Sequence, residues 1–578
     1  MKYHEKKPKD SSTKYSHAPY NFIPLNEKIV PAQPLPDFDR YHLDRYTGYI
    51  ELEVEALTPL YIRDTLNEEE YKIKLEKEKT KDSDKTPFSN PDFFSPGGLI
   101  RIPGSSLRGM VRTLVEIVSY GKFHFYEDRR LYFRSFADKC KRLREEYSKK
   151  IKPKAAILKK EGLRYYIVPT DFKKIEKEQA KTLIKNAGKQ YDYFQIYDNI
   201  KIKEEVGYIV VSGEIKTKKY DYFIKKPENE QKIIPLSDDD IRDYKNDRER
   251  KAKIDLLKEL EKEKKVPCFF SEYQDTNGNK RVAFGHTLYF RIPYDKTIGD
   301  HIPTKLKAFQ LDLAEAIFGN EKTHSGRVFF EDLHLIEGEY LNEFHPKILS
   351  SPKPTTFQHY LVQTPENLND HPRNLAHYND TNKIRGYKLY WHKDAKDKDG
   401  KYLWIAKKED VEKHPTQYTK IKPLKEGAKF KGIIRFENLS SIELGAILFV
   451  LELPAGCVHK IGMGKPLGLG SIKISTKLYL SDRKKRYEEL FSEWNSLTLE
   501  NNTEKFKKAF EDYVKKHIGQ SDTKSLWENE RLKKLKTMLS WTNKPPYQKT
   551  EYLELEKFRE RRVLPEPEQV LQCYGIIK

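Results

Sequence analysis

The stretch GYIELEVEAL, residues 48–57, has the clearest strand pattern in the chain. Its apolar positions are every second residue from Ile50 to Ala56, and glutamates lie between them. Successive side chains of a strand point to opposite faces of a sheet. The alternation therefore predicts a strand with one face on a core and the other face in water.

The residues that follow this strand predict a long loop and then a helix. Residues 58–98 are charged and irregular, and prolines and glycines mark their end, which is typical of a loop. The stretch PGSSLRGMVRTLVEIV at 103–118 then carries apolar residues at helical spacing, and either Ser105 or Ser106 is suited to cap the helix.

A similar order recurs downstream. We predict a strand at 287–292, a helix at 308–318, a strand at 326–336, a strand at 429–436, a helix or buried apolar segment at 442–453 and a strand at 470–475. Strand, helix, strand, repeated, is the order of a ferredoxin-like or RNA-recognition-type unit. The predicted fold class is α/β (α+β), with such a core and large insertions.

Changes in composition divide the chain into seven parts. They are an extended arm (1–47), the first part of the core (48–121), an insertion subdomain (122–280), the core continued (281–336), a loop-rich insertion (337–425), the end of the core with a glycine-rich loop (426–478) and a helical C-terminal extension (479–578). We predict a strand at 206–215 and a polar helix at 238–265 in the insertion, and helices at 483–497 and 504–517 in the extension.

The charge balance indicates a polyanionic partner. Lys and Arg number 109 and Asp and Glu 88, a formal charge of +21, although a solvated lysine-rich surface explains this balance equally well. No apolar run is long enough for a membrane helix, and no signal segment is found. The four cysteines are far apart, which argues against a disulfide framework or a cysteine zinc site and favours a cytoplasmic protein.

The stretch KIGMGKPLGLGSI at 460–472 predicts an anion-binding loop. Glycines let backbone N–H groups approach a phosphate closely, and lysines add charge. The alternative is a glycine-rich turn between a helix and a strand. The order of residues fits neither a P-loop nor a dinucleotide fingerprint. The candidate residues are Lys460, Gly462, Gly464, Lys465, Gly468 and Gly470.

The start of the predicted helix at 103–118 has a second candidate site. Free N–H groups, the hydroxyls of Ser105 and Ser106, and Arg108 and Arg112 spaced four apart suit a phosphate backbone. Capping alone would also explain the serines.

The chain resembles the RAMP superfamily of CRISPR systems, specifically the backbone subunit of type III effector complexes. Three segments carry the resemblance: IPGSSLRGMVR at 102–112, FG at 318–319 with GRVFFED at 326–332, and the final strand, helix and glycine-rich loop at 424–474. The resemblance implies a subunit that binds guide RNA and target RNA and stacks with other RAMP subunits. The insertion at 122–280 resembles that of a type III-D variant.

The same resemblance implies a protruding thumb that splays RNA bases. By position the thumb is 337–425, within which aromatic side chains are candidates to stack on bases, although packing is the commoner role of such residues. They are Tyr360, Tyr378, Tyr387, Tyr390, Trp391 and His392.

The resemblance also raises the question of cleavage. In this family an aspartate in the loop between the first strand and the first helix supports Mg²⁺-dependent cutting of target RNA, and Ser89 stands at that position here. Asp92 is the substitute candidate, and Asp64, Asp82 and Asp84 share the loop. No histidine spacing suggests a structural metal.

Two other functions stay open. One is a CRISPR RNA-processing endoribonuclease of the same superfamily, which uses metal-free general acid and base chemistry, often with a histidine. The other is a basic scaffold that binds only protein. The first-helix motif and the chain length favour the backbone subunit.

Overall fold

The structure is a computed structural model. It describes residues 14–66, 68–79, 90–211, 213, 219–227, 233–248, 250, 254–349, 351–488, 496–554, 556–573 and 575–577. An antiparallel sheet forms its centre, with four principal strand positions: Tyr46–Ala56, Val328–Phe330 continued by Leu333–Glu337, Lys429–Leu439 and Ser471–Ser481.

The order of these strands is that of a ferredoxin-like core. The closing strand Ser471–Ser481 pairs with the first strand Tyr46–Ala56, which pairs with Lys429–Leu439, and that strand pairs with the second position. The helix Gly104–Val118 joins the first two positions, and the helix Ser441–Leu451 joins the last two. The predicted fold class is confirmed. Short strands Arg101–Ile102, His459–Lys460 and Leu497–Glu500 extend the sheet.

The first helix begins at Gly104 and differs from the prediction at its start. Neither Ser105 nor Ser106 caps it; Pro103 holds the cap position without a side-chain hydrogen bond. The Gly104 N–H instead donates to Asp332 Oδ1 at 2.8 Å. The predicted capping role of the serines is therefore wrong, and their hydroxyls are available for other contacts.

The second helix is apolar all round and is buried on both sides. Ser440 and Glu443 form a capping box at its start. The C-terminal helix Glu504–Ile518 covers its outer face so closely that a Cβ on Gly445 would lie 2.0 Å from the Phe506 carbonyl oxygen. Glu443 is buried and accepts from Arg45 at 3.1 Å and from Arg327 at 2.9 Å.

Two further sheets form the insertion. The five-stranded one contains Lys154–Glu161, Arg164–Thr170, Ile234–Pro235, Lys265–Gln274 and Lys280–Gly285, and the four-stranded one Phe172–Glu176, Gln195–Ile202, Glu205–Val211 and Tyr220–Lys225. Its helices are Lys141–Lys150, Lys177–Asn186, Asp238–Asn246 and Leu256–Lys262. The single helix predicted at 238–265 is thus wrong: two short helices stand there, and a buried strand follows them.

Other elements depart from the prediction as well. The strand placed at 287–292 is instead Ile292–Thr297, which pairs with Arg130–Phe133. The helix placed at 308–318 is only Leu313–Phe318, and the loop predicted at 58–98 contains the helix Glu68–Lys79. In the arm, Tyr20–Ile23 pairs with Tyr387–Tyr390.

The remaining helices lie in the loop-rich insertion and the C-terminal extension. They are Phe357–Tyr360, Pro365–Asn369, Lys408–Lys413, Arg483–Glu488, Glu530–Leu539 and Pro567–Cys573. The helix predicted at 504–517 is confirmed as Glu504–Ile518. The part of the predicted helix at 483–497 that covers 489–495 lies outside the described residues.

Candidate functional site

The two stretches that the sequence singled out meet in one groove of about 430 Å³, which we call the lysine groove. The first helix, the strand Tyr387–Tyr390, the glycine-rich loop and the C-terminal helix Glu530–Leu539 all contribute residues to it. The groove is lined by Ile62, Ser105, Ser106, Gly109, Met110, Thr113, Leu114, Lys388, Leu389, Tyr390, His392, Lys460, Ile461, Gly462, Met463, Lys465, Met538 and Leu539.

Three partly buried lysines give the groove its charge. Lys388, Lys460 and Lys465 line it, and no aspartate or glutamate of the described residues does so. Burial lowers the pKa of all three ammonium groups, and for Lys460 the neighbouring charges of Lys393, Lys465 and Lys544 lower it further. Desolvated cations without a counter-ion are costly, and an anion in the groove would relieve that cost.

Lys388 is held among aromatic rings at the side of the groove. Its Nζ lies 3.9 Å from the centre of the Tyr20 ring and 5.6 Å from that of Tyr390, and it donates to the Tyr360 hydroxyl at 3.2 Å. Burial lowers the pKa of Lys388 to about 8. Its charge therefore changes near neutral pH, unlike that of an ordinary surface lysine.

Glycine determines the shape of the loop that carries Lys460 and Lys465. Gly462, Gly464, Gly468 and Gly470 all have positive φ, and a Cβ on Gly470 would lie 1.9 Å from the Ile461 carbonyl oxygen. The N–H of Gly468 donates to Lys465 O and that of Gly470 to Pro59 O. These two glycines therefore shape the loop while their N–H groups are occupied within the fold.

Two serine hydroxyls share the groove with the lysines. Ser105 and Ser106 both line it, Ser105 exposed and Ser106 half-buried. Lys460 Nζ donates to Ser471 Oγ at 3.3 Å, and this buried hydroxyl is also 2.8 Å from His392 Nδ1. Cations and hydroxyls in one groove are suited to phosphate oxygens.

Arg108 and Arg112 share a face of the first helix, as predicted, but that face turns away from the groove. Arg108 donates to Phe318 O at 2.6 Å, and Arg112 Nε donates to Glu116 Oε1 at 3.0 Å. Burial raises the pKa of Glu116 to about 7, against the lowering effect of Arg112. The structure brings the serines and lysines together and leaves both arginines outside the groove.

The open face of the sheet is unsuited to a polyanion. Glu51, Glu53 and Glu55 form a row on it, with Lys431 Nζ 3.0 Å and Lys477 Nζ 3.5 Å from Glu51. Carboxylates repel phosphates, and the flanking lysines are already paired. The lysine groove is therefore the better anion site.

A family model matches the sequence of this chain. It is described as the RAMP superfamily and matches residues 53–473, from the first strand to the closing strand and most of the chain. The chain belongs to the RAMP superfamily. This membership gives it a CRISPR-associated RNA-binding role and assembly with other Cas subunits. No curated protein matches the sequence. Among the described helices, none has the length and hydropathy that crossing a membrane requires.

Two aspartates lie in the described part of the candidate cleavage loop of this RAMP protein, Asp64 and Asp92, and Asp92 is the more exposed. Asp92 is exposed and lies 3.9 Å from Lys422 Nζ. Asp64 is occupied, because its Oδ2 accepts from Ser95 Oγ at 2.9 Å and its Oδ1 from Thr65 N at 2.8 Å. Ser89, Asp82 and Asp84 lie outside the described residues.

These carboxylates do not fit a magnesium site. No group of three His, Cys, Asp or Glu side chains among the described residues could hold a metal ion. A Mg²⁺ ion prefers several oxygen ligands in octahedral geometry, and Asp92 alone does not supply them.

Most of the aromatics suggested for base stacking belong to the core. Tyr378, Tyr387, Trp391 and His392 are buried, and both ring nitrogens of His392 are within hydrogen-bond distance of Ser471 Oγ and Val458 O. The suggestion that these four stack on bases is wrong. Tyr390 is only half-buried and lines the lysine groove.

Sequence reasoning missed Lys388 and the helix Glu530–Leu539. Lys388 lies in the short strand Tyr387–Tyr390, where one lysine among apolar and aromatic residues carries no motif. Met538 and Leu539 reach the groove only through the packing of the C-terminal extension. Neither Lys388 nor this helix has a local sequence pattern that would connect it to the groove.

Proposed function

We propose that this RAMP protein is a guide-RNA-binding backbone subunit of a type III CRISPR effector complex that acts in antiviral defence. The observation that carries the proposal is the lysine groove: Lys388, Lys460 and Lys465 converge there, and no carboxylate of the described residues lines it. The RNA backbone supplies the missing negative charge. Its partners are guide RNA, target RNA and the other RAMP subunits of the complex, and the large insertion favours a type III-D assembly.

The groove is suited to a short segment of the RNA sugar-phosphate backbone. Lysine ammonium groups and the hydroxyls of Ser105 and Ser106 bind phosphate oxygens, which positions the strand without reading its sequence. Met110 and Leu389 supply apolar surface in the same groove, against which a sugar or a base edge can pack. Sequence specificity then comes from base pairing between guide and target and not from this groove.

A double variant tests the proposal. Lys460→Ala with Lys465→Ala removes two of the three groove cations, and removing one phosphate-binding cation lowers the salt slope of single-strand binding by about 0.7. We expect weaker guide binding and a slope lower by about 1.4 in a fluorescence anisotropy titration against salt. Lys473→Ala is the matched control, because Lys473 is exposed on the closing strand, which directly follows the glycine-rich loop, and does not line the groove.

Equal salt slopes for the double variant and the native chain would refute the proposal. A drop in affinity that Lys473→Ala also produces would refute it too, because it would indicate general charge attraction. Thermal unfolding of each variant establishes that the fold is retained.

No observation favours the processing endoribonuclease. His392 is the histidine of the groove, but it is buried, and burial with the Lys460 charge lowers its pKa well below the usual range. A histidine with both nitrogens engaged is poorly placed to act as a general acid. Metal-free cutting of precursor RNA in EDTA would support that alternative over ours.

Target cleavage through Asp92 is not part of this proposal, because the carboxylates of the described residues do not fit a Mg²⁺ site. The native complex and the Asp92→Asn variant should therefore show equal Mg²⁺-dependent cutting of target RNA. Loss of cutting in the variant alone would show that this carboxylate supports cleavage.

A further inference from the structure

A second and larger cavity lies where the insertion meets the rest of the chain. It has a volume of about 1010 Å³, at the upper end of the range of ligand sites in proteins. It is lined by residues of the insertion, of the segments at 281–294 and 349–356, and by Arg561. We call it the insertion cavity.

Among the residues that line the insertion cavity, the aspartates are paired with arginines, and an excess of positive charge remains. Seven lysines and arginines line it against four aspartates. The interior aspartates are paired: Asp240 lies 2.8 Å and Asp243 2.5 Å from Arg281, and Asp247 lies 3.1 Å from Arg291. Arg134 also lines the cavity and is exposed, and the ion pairs of the described residues do not include it.

Exposed aromatic rings lie beside this arginine. Phe136 and Tyr289 stack with ring centres 4.9 Å apart and planes at 15°, and they are 50% and 40% exposed. The Arg134 guanidinium lies 6.0 Å from the centre of the Phe136 ring. Stacked, exposed aromatics beside an unpaired arginine form the surface on which unpaired bases stack in single-strand-binding proteins.

The insertion cavity and the lysine groove are neighbours along the same surface. A small cavity of about 30 Å³ shares Lys388 with the groove and shares Ser351, Lys353 and Thr356 with the insertion cavity. Through these shared residues, Lys388 and Lys353 lie between the groove and the insertion cavity.

We propose that the insertion cavity binds an unpaired nucleotide of the same RNA strand that the lysine groove holds. The base would stack on Tyr289, which lines the cavity and is supported from behind by Phe136, and the phosphate would contact Arg134. The inference rests on the proposed function and gives the insertion a role in it: extending the length of RNA that one subunit holds.

The test compares two labelled oligouridines, of roughly four and roughly sixteen nucleotides, on the full chain by fluorescence anisotropy. Tyr289→Ala weakens binding of the longer RNA by about tenfold and leaves the shorter RNA unchanged. Tyr289→Trp retains a stacking ring and should bind the longer RNA about as tightly as the native chain does. Phe309→Ala is the control, because Phe309 is fully exposed and does not line the cavity.

The outcomes separate a failure of this inference from a failure of the proposed function. If Tyr289→Ala binds the longer RNA as the native chain does, while the Lys460 and Lys465 double variant binds both RNAs weakly, only this inference fails. If the native chain binds neither RNA, the proposed function itself fails. A last test uses adenosine monophosphate as a free ligand. If it binds the native chain but not Tyr289→Ala, and does not compete with the longer RNA, then the cavity binds a free nucleotide and not a nucleotide of the RNA strand, and this inference is overturned.

Discussion

Raising the pH from 7 to 9 should weaken RNA binding through Lys388. Burial lowers the pKa of this ammonium group to about 8 in the free protein, whereas a phosphate beside it favours the charged form. Binding above pH 8 therefore requires proton uptake, and the affinity falls as the pH rises. Ordinary surface lysines stay charged over this range.

The magnitude follows from the titration of one group. With a pKa of about 8, the charged fraction of free Lys388 falls from about nine-tenths at pH 7 to about one-tenth at pH 9. If Lys388 stays charged in the complex, the affinity falls by about tenfold over these two units. Lys460 and Lys465, whose pKa values burial also lowers, add to this fall.

The assay is a set of anisotropy titrations with one RNA at fixed ionic strength across this pH range. The Lys388→Arg variant keeps its charge at pH 9 because an arginine does not titrate there, so its profile should be flatter than that of the native chain. An affinity independent of pH in the native chain, or an equal fall in Lys388→Arg, would refute the assignment of Lys388 to the phosphates.

Three predictions concern stability, measured by chemical denaturation. Gly470→Ala should lower the free energy of unfolding by about 3 kcal/mol or more, because its Cβ would collide with the Ile461 carbonyl; a decrease below about 1 kcal/mol contradicts this. Arg327→Met removes one of the two arginines that donate to buried Glu443 and should lower the free energy of unfolding by about 3–5 kcal/mol at pH 7. An unchanged free energy of unfolding would show that Arg45 alone compensates the charge of Glu443. Lys393→Met should raise the free energy of unfolding by about 1–3 kcal/mol at pH 7, because burial lowers the pKa of Lys393 to about 7. This gain should shrink as the pH rises to about 10, where the lysine is partly neutral in the unfolded chain as well. A gain that does not change with pH would contradict the role of the buried charge.

The central strands and helices could be predicted because their local patterns agree with their final surroundings. Tyr46–Ala56 lies between two strands, with Val54 opposite Phe430 on one side and Ile474 on the other, so its alternating pattern matches its burial. The helix Ser441–Leu451 has a capping box and a continuous apolar run. Local sequence is sufficient where propensity, capping and burial agree.

The insertion was harder to predict because its tertiary pairing overrides local composition. Lys265–Gln274 follows a charged stretch that resembles a helix, yet it is the strand between Lys154–Glu161 and Lys280–Gly285. Glu68–Lys79 shows the reverse case: its residues are good helix formers, but the surrounding charged stretch indicated a loop.

The candidate site was only half visible in the sequence. The serines, the lysines and the glycines of the two motifs could be found because each motif is contiguous in the chain. Lys388 could not, because only the pairing of Tyr387–Tyr390 with Tyr20–Ile23 brings it beside the groove. The spacing of Arg108 and Arg112 correctly placed them on one helix face, but spacing does not say which neighbour that face meets.

Photo-crosslinking tests the central claim most directly. A guide RNA with 4-thiouridine is bound to the full chain, irradiated, and the crosslinked peptides are identified by mass spectrometry. The lysine groove predicts crosslinks within 460–465 and 105–110. Crosslinks confined to the open sheet face around Glu51, Lys431 and Lys477, with none in the groove, would contradict the account.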